Sequence, residues 1–324
     1  MRARWALLAV GAITLTAGSV AVAQATGGMV DPKLMSYERV GGIAGNLSSV
    51  GSDTLVNLMT FWAEGFQKQY PNVKIQVEAK GSSTAPPALI AGTSQLGPMS
   101  RPMKATEIDA FEKKFGYKPT PIGVALDALG VYVNKDNPVQ FLSIDQLDGI
   151  FSSTRACGGQ DISRWDQLGL GGEWAQPISL YGRNSASGTY GYFKEHALCK
   201  GDYKGSVKEQ PGSATVVEGI TNDRYAIGYS GMGYMTAGVR LVPIAAKGST
   251  KAFDAIPDNV YAGTYPISRY LYIYINRAPG RPVDPLVKHF LTYVLSAEGQ
   301  EVVVKDGYIP LPAKVCAAEL AKLE

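Results

Sequence analysis

Apolar positions recur along the chain with two periods. Leu55, Leu58, Met59, Trp62 and Phe66 fall on one face of a 3.6-residue repeat, which predicts a helix ending near Tyr70-Pro71. Asn72–Ala79, Gly123–Asn134, Pro177–Tyr181 and Tyr270–Asn276 are rich in β-branched and aromatic residues and read as strands. Ser143 stands where it would cap a helix running to Phe151, and Asp284 where it would open another to about Leu295. Strands alternating with helices predict an α/β fold with mainly parallel sheets, after a polar stretch that lasts to about Gly45.

The opening residues break this pattern. Arg2 and Arg4 precede an apolar Trp5–Leu15, and Ala21-Val22-Ala23 or Ala23-Gln24-Ala25 supplies a small-x-small cleavage site. Residues 1–25 therefore read as a signal peptide. The alternative is an uncleaved anchor. Thr14, Thr16, Gly18 and Ser19 dilute the tract, and no lysine or arginine follows until Lys33, both of which argue against it.

At 324 residues with 45% apolar content, the chain is long enough for two cores, and no low-complexity segment points to disorder. Removing Arg2 and Arg4 takes the formal net charge from +3 to +1, too little for a general nucleic-acid or lipid footprint. An anion would have to be caught locally. Of the three cysteines, Cys157 and Cys199 are the preferred disulfide pair for an exported chain, because both fall in its middle third; three free thiols are the alternative. Only two histidines occur, His196 and His289, without a second ligand type at metal-binding spacing, and no P-loop terminus is present. No metal or cofactor is expected.

One local pattern occurs three times. Gly51-Ser52-Asp53-Thr54-Leu55, Gly81-Ser82-Ser83-Thr84 and Arg183-Asn184-Ser185-Ala186-Ser187-Gly188-Thr189 each set glycine and hydroxyl residues before a helical segment. A helix start exposes unpaired N–H groups and partial positive charge, and small residues let an oxyanion reach them. Each turn alone could be ordinary capping. Three together, with Arg183 at a strand end, favour an anion site. Arg101, in Gly97–Met103, is a second candidate cation, or else a structural arginine.

These turns resemble the signature loops of the phosphate-binding proteins that serve bacterial ABC importers (the PstS type). Ser52–Leu55, Gly81-Ser82-Ser83 and above all Arg183-x-x-x-Ser187-Gly188-Thr189 carry the likeness. Asp145–Phe151, Arg164-Trp165-Asp166, Ala226–Tyr229 and Tyr265-Pro266-Ile267 extend it over most of the chain. The resemblance implies a two-lobed periplasmic-binding-protein fold of type II with two crossing hinge strands. Lobe one would hold residues 45–122 and 268–324, lobe two residues 127–263, and the hinge strands 123–126 and 264–267.

It further implies a periplasmic, monomeric, non-enzymatic carrier that takes inorganic phosphate to an ABC permease in the inner membrane. Ser52, Asp53, Thr54, Leu55, Ser82, Ser83, Arg101, Arg183, Ser187, Gly188 and Thr189 would form its phosphate site. Where the family has an aspartate that accepts the phosphate proton, this chain has Arg101. Asp53 is then expected to accept that proton, with Arg101 offsetting its charge. Sulfate or molybdate binding, a secreted phosphatase-like activity, and an adhesin on the same scaffold are the rival functions.

Overall fold

The computed structural model describes residues 28–324, so the expected signal peptide lies outside the described residues. The first of two lobes is built around a two-stranded and a three-stranded sheet, the second around a five-stranded one. In the first, Gly45–Val50 pairs in parallel with Val73–Glu78 and touches Leu96 through Ser49. Gly97–Met99 then pairs antiparallel with Ser268–Ile275, which pairs antiparallel with Thr120–Ala128. The second lobe holds a five-stranded sheet, ordered Val239–Leu241, Gly130–Asn134, Ala226–Ser230, Ser179–Arg183 and Lys208–Gln210. Small strands at Leu142–Ser143, Ile244–Ala245 and Ala252–Phe253 complete it.

The chain passes from the first lobe to the second along Thr120–Ala128 and returns along Ser268–Ile275, from Ser268 opposite Ala128 to Ile275 opposite Thr120. This out-and-back path makes the sheets mixed rather than mainly parallel: Gly130–Asn134 runs antiparallel to Ala226–Ser230, while Ser179–Arg183 runs parallel to it. The expected Gly123–Asn134 strand is two strands, broken at Leu129, whose N–H goes to Ile267. Thr264–Ile267, expected to be a hinge strand, is not one; the strand starts at Ser268. Pro266 has no N–H to give a ladder, so the Tyr265-Pro266 pair turns instead.

The helical periodicity places its residues as expected. Val56–Gln69 buries Leu58, Met59, Trp62 and Phe66, and Phe66 packs against Phe290 and Tyr293 of the helix Pro285–Val294. Asp284 caps that second helix by accepting from Leu286 and Val287, and Ser143 caps Ile144–Phe151 by accepting from Gln146. A disulfide joins Cys157 to Cys199 and ties the far end of the helix Gly188–His196 to the loop after Ile144–Phe151, while Cys316 is free and buried. None of the helices among the described residues is long and apolar enough to cross a membrane.

Two stability effects follow. Replacing Cys157 and Cys199 by serine should cost about 2–4 kcal/mol, since the bond restrains a long loop in the unfolded chain; urea unfolding reads this directly. Asp306 is buried with Oδ2 unpartnered, and burial raises its carboxyl from 3.8 to about 7, partly opposed by the Asn57 side chain. The folded chain thus holds a proton that the unfolded chain has lost, so this group's contribution to stability falls as pH rises from about 4 to about 7. Asp306→Asn should therefore melt higher than the parent at pH 8, with the difference shrinking towards pH 4; a constant difference would contradict this.

Candidate functional site

The three hydroxyl-rich turns meet between the lobes. The first forms a short 3-10 turn, Asp53–Leu55, leading into Val56–Gln69; the second forms Ser82–Thr84, leading into Ala85–Ala91. The third caps Gly188–His196 through Ser187, whose Oγ accepts from the N–H groups of Thr189 and Tyr190. Ordinary capping therefore accounts for Ser187. It does not account for Ser52, which makes no side-chain cap bond.

One hydroxyl contact crosses the cleft, and a serine group gathers within the first lobe. Thr54 Oγ1 lies 2.9 Å from Thr189 Oγ1, which joins the first lobe to the second. Ser52 Oγ donates to Ser100 Oγ at 2.9 Å, and Ser100 Oγ lies 3.3 Å from Ser82 Oγ. Gly188 packs against this serine group so closely that an added methyl would sit 2.2 Å from Ser82 Oγ and 2.6 Å from Ser100 Oγ. The second and third turns also meet through backbone, with the Ser83 N–H donating to Ala186 O at 3.1 Å. Ser52, Thr54, Ser82, Ser187 and Thr189 are all buried.

Arg183 closes one side. It ends the strand Ser179–Arg183, only 1% exposed, and its Nη1 donates to Ser213 Oγ at 2.6 Å and lies 3.2 Å from Asp53 Oδ2. Its Nη2 donates to Pro211 O, and its Nε is buried without a protein partner. Burial pulls this guanidinium below its usual value, while the Asp53 carboxylate opposes that shift. Asp53 also crosses the cleft: its Oδ2 accepts from the N–H and the hydroxyl of Ser213, both at 2.8 Å. Tyr234 of the second lobe donates to Asp53 O, and Tyr308 donates to Thr54 O. The first turn is thus held from several sides by side chain and backbone together.

Two expected members are placed differently. Arg101 sends its guanidinium to Glu107 in a bidentate pair, both bonds 2.7 Å, and to Ser83 Oγ at 3.2 Å. It does not offset Asp53; Arg183 does. The reason is local, since Glu107 sits in the first turn of Ala105–Phe115 and is the nearer carboxylate. The Leu55 N–H bonds back to Ser52 O at 3.3 Å within its own turn, and its side chain is fully buried in the core.

Sequence reasoning also missed several residues. Ser100 stood unremarked beside Arg101, and Ser213, Asp127 and Arg269 are buried polar residues remote in the chain from the three turns. Arg269 donates to Thr189 Oγ1 at 2.8 Å. A cavity of about 400 Å³, lined by Arg101, Lys104, Ser185, Ser187, Tyr190 and Lys194, opens beside the cluster. Neither histidine addresses the hydroxyls: His196 stacks on Tyr192 at 4.0 Å, and His289 faces Tyr37. The arrangement is a buried nest of small donors with an unpartnered guanidinium N–H, and it can hold a small oxyanion.

Comparison with known proteins agrees with this geometry. Residues 38–298 match the family model for the PBP superfamily domain. The chain is 56% identical over 314 residues to the phosphate-binding protein PstS of Pseudomonas aeruginosa, covering 96% of this chain and 97% of that one. It is 31% identical to the protein SphX of Synechococcus elongatus, covering 83% and 78% respectively. Among solved structures, a phosphate ABC transporter substrate-binding protein from Clostridium perfringens with bound phosphate superposes with a TM-score of 0.69 at 26% identity. That match covers 82% of this chain and all of the other.

The tightness at Gly188 gives a direct structural check. Gly188→Ala should wedge the serine group away from the third turn, so small-angle scattering should give a larger radius of gyration than the parent. An unchanged radius would mean that the lobes do not meet at this glycine.

Proposed function

Because the chain belongs to the PstS-type phosphate-binding proteins of the PBP superfamily, we propose that it binds inorganic phosphate in the cleft between its lobes. It does so outside the cytoplasm, in the periplasm, as a monomer, and hands the ion unchanged to an ABC permease in the inner membrane. In this reading lobe one spans residues 45–122 and 268–324, and lobe two spans 127–263. The crossing falls within Thr120–Ala128 and at the Thr264–Ile267 turn that leads into Ser268–Ile275.

The observation that carries this reading is the buried junction of Thr54 with Thr189, beside an arginine whose Nε has no protein partner. Phosphate would be held by Ser52, Thr54 and Ser82 from one lobe, and by Arg183, Gly188 and Thr189 from the other. Ser83 and Ser187 shape the turns. With Arg183 answered by Asp53, and Arg101 by Glu107, free cationic charge in the cleft is small. Hydroxyls and helix-start amides then do most of the neutralising. Closure around the ion removes water and strengthens each of those bonds. No residue is asked to make or break a bond in the ligand, which distinguishes this carrier from a phosphatase.

Asp53 has a further role in the proposal. Its bonds to Ser213 and Arg183 all fall on Oδ2, which leaves Oδ1 to accept the proton of monohydrogen phosphate. Fully ionised sulfate has no such proton and would meet an uncompensated lone pair.

Two titrations test the reading. Arg183→Ala should weaken phosphate binding at least tenfold by isothermal calorimetry, since each charge-assisted bond contributes about 1.5–3 kcal/mol; affinity within twofold of the parent would overturn the site. Asp53→Asn should weaken phosphate and also narrow the preference for phosphate over sulfate. An unchanged ratio would remove Asp53 from selectivity while leaving its bridging contacts intact.

A further inference from the structure

Beneath the proposed phosphate site lies a second buried ion pair. Arg269, in the returning strand, and Asp127, in the outgoing strand, are 1% and 0% exposed at their side chains. Arg269 Nε and Nη2 both donate to Asp127 Oδ2, at 2.9 and 2.7 Å. The same guanidinium reaches two other segments, the Ser100 loop and the helix Gly188–His196. Its Nη1 donates to Ser100 O at 2.7 Å, its Nη2 donates to Thr189 Oγ1 at 2.8 Å, and its carbon lies 5.4 Å from the centre of the Tyr192 ring. Asp127 Oδ1 in turn accepts the Met232 N–H at 3.0 Å. One pair therefore joins both crossing strands, the Ser100 loop of the first lobe, and two segments of the second.

A buried pair of this kind is seldom the most stable filling of its space, because both ions give up their hydration. Its use must be sought in geometry. A guanidinium can only donate. Thr189 Oγ1 must therefore accept from Arg269, and its own proton is left to point elsewhere. The polar oxygen facing it is Thr54 Oγ1, at 2.9 Å. With an anion present, the same proton is aimed at the ligand. A hydroxyl free to choose would serve an anion only part of the time; one already loaded from behind serves as a donor.

We propose that Arg269, held in place by Asp127, is a positioning residue of the phosphate site: it fixes Thr189 as a hydrogen-bond donor into the cleft and ties that donor to the strands on which the lobes turn. The inference rests on the phosphate reading above. Arg269 itself need not touch the ion. Arg101, for all its position in the sequence, has no part in this, since its fork is taken by Glu107.

The test is a double-mutant cycle on the full chain, read by phosphate titration and by melting without phosphate. Thr189→Val removes the hydroxyl and keeps the shape, and Arg269→Lys keeps the charge while losing the fork. Each single variant should weaken phosphate about tenfold or more, and the double variant should bind no more than about twofold worse than the weaker single. Arg269→Gln with Asp127→Asn, which removes both charges together, should fold and show the same loss as Arg269→Lys. Additive losses, or parent-like affinity in Arg269→Lys, would overturn the proposal. So would a loss in Arg269 variants that merely follows their ligand-free melting temperature. Absence of phosphate binding in the parent would instead overturn the phosphate reading, which keeps the two failures apart.

Discussion

A single carboxylate spanning two lobes sets the terms for everything else in this molecule. Asp53 belongs by sequence to the first helix start, yet its Oδ2 is held by Ser213 and by Arg183 of the opposite lobe. Once that bridge forms, Thr54 is carried against Thr189, and Gly188 against Ser82 and Ser100. The bridge also sets a carboxylate against Arg183. A small anion then meets dipoles and hydroxyls rather than a bare cation, an arrangement that permits burial without a large desolvation cost on the protein side. The out-and-back strands Thr120–Ala128 and Ser268–Ile275 give the two halves freedom to reach this geometry while keeping them in one chain.

Much of the fold could be read in the sequence because the signals were local. Ser143 and Asp284 announce their helices by the caps they make, and Leu58, Met59, Trp62 and Phe66 announce a buried face by their spacing. Strand direction was another matter. Whether Gly130–Asn134 lies parallel or antiparallel to Ala226–Ser230 depends on which lobe the chain has just left, and no short window of residues carries that information. The resemblance places a hinge strand at Thr264–Ile267, but Pro266 cannot join a ladder and the strand starts at Ser268.

The site was legible in outline and misassigned in its charges. Glycine- and hydroxyl-rich turns before helices are visible in any reading, and the structure brings all of them together. Charge partners are not visible in the same way. Arg101 is expected to offset Asp53, but its guanidinium goes to Glu107, six residues on. Arg269 and Asp127 are far apart in the chain and carry no motif; only their near-total burial, and the hydroxyl they share with the cleft, singles them out. Burial of an ion pair is a property of the folded chain, so no inspection of the sequence would have ranked these residues above the many other arginines and aspartates.

The central claim is that one small oxyanion sits where Thr54, Ser82, Arg183 and Thr189 converge. A crystal structure of the protein grown with phosphate tests it most directly. The account predicts tetrahedral density within hydrogen-bonding distance of Thr54 Oγ1, Thr189 Oγ1 and Arg183, with the lobes closed over it. Phosphate bound on an outer surface, or a closed cleft whose hydroxyls still bond only to one another at saturating phosphate, would contradict it.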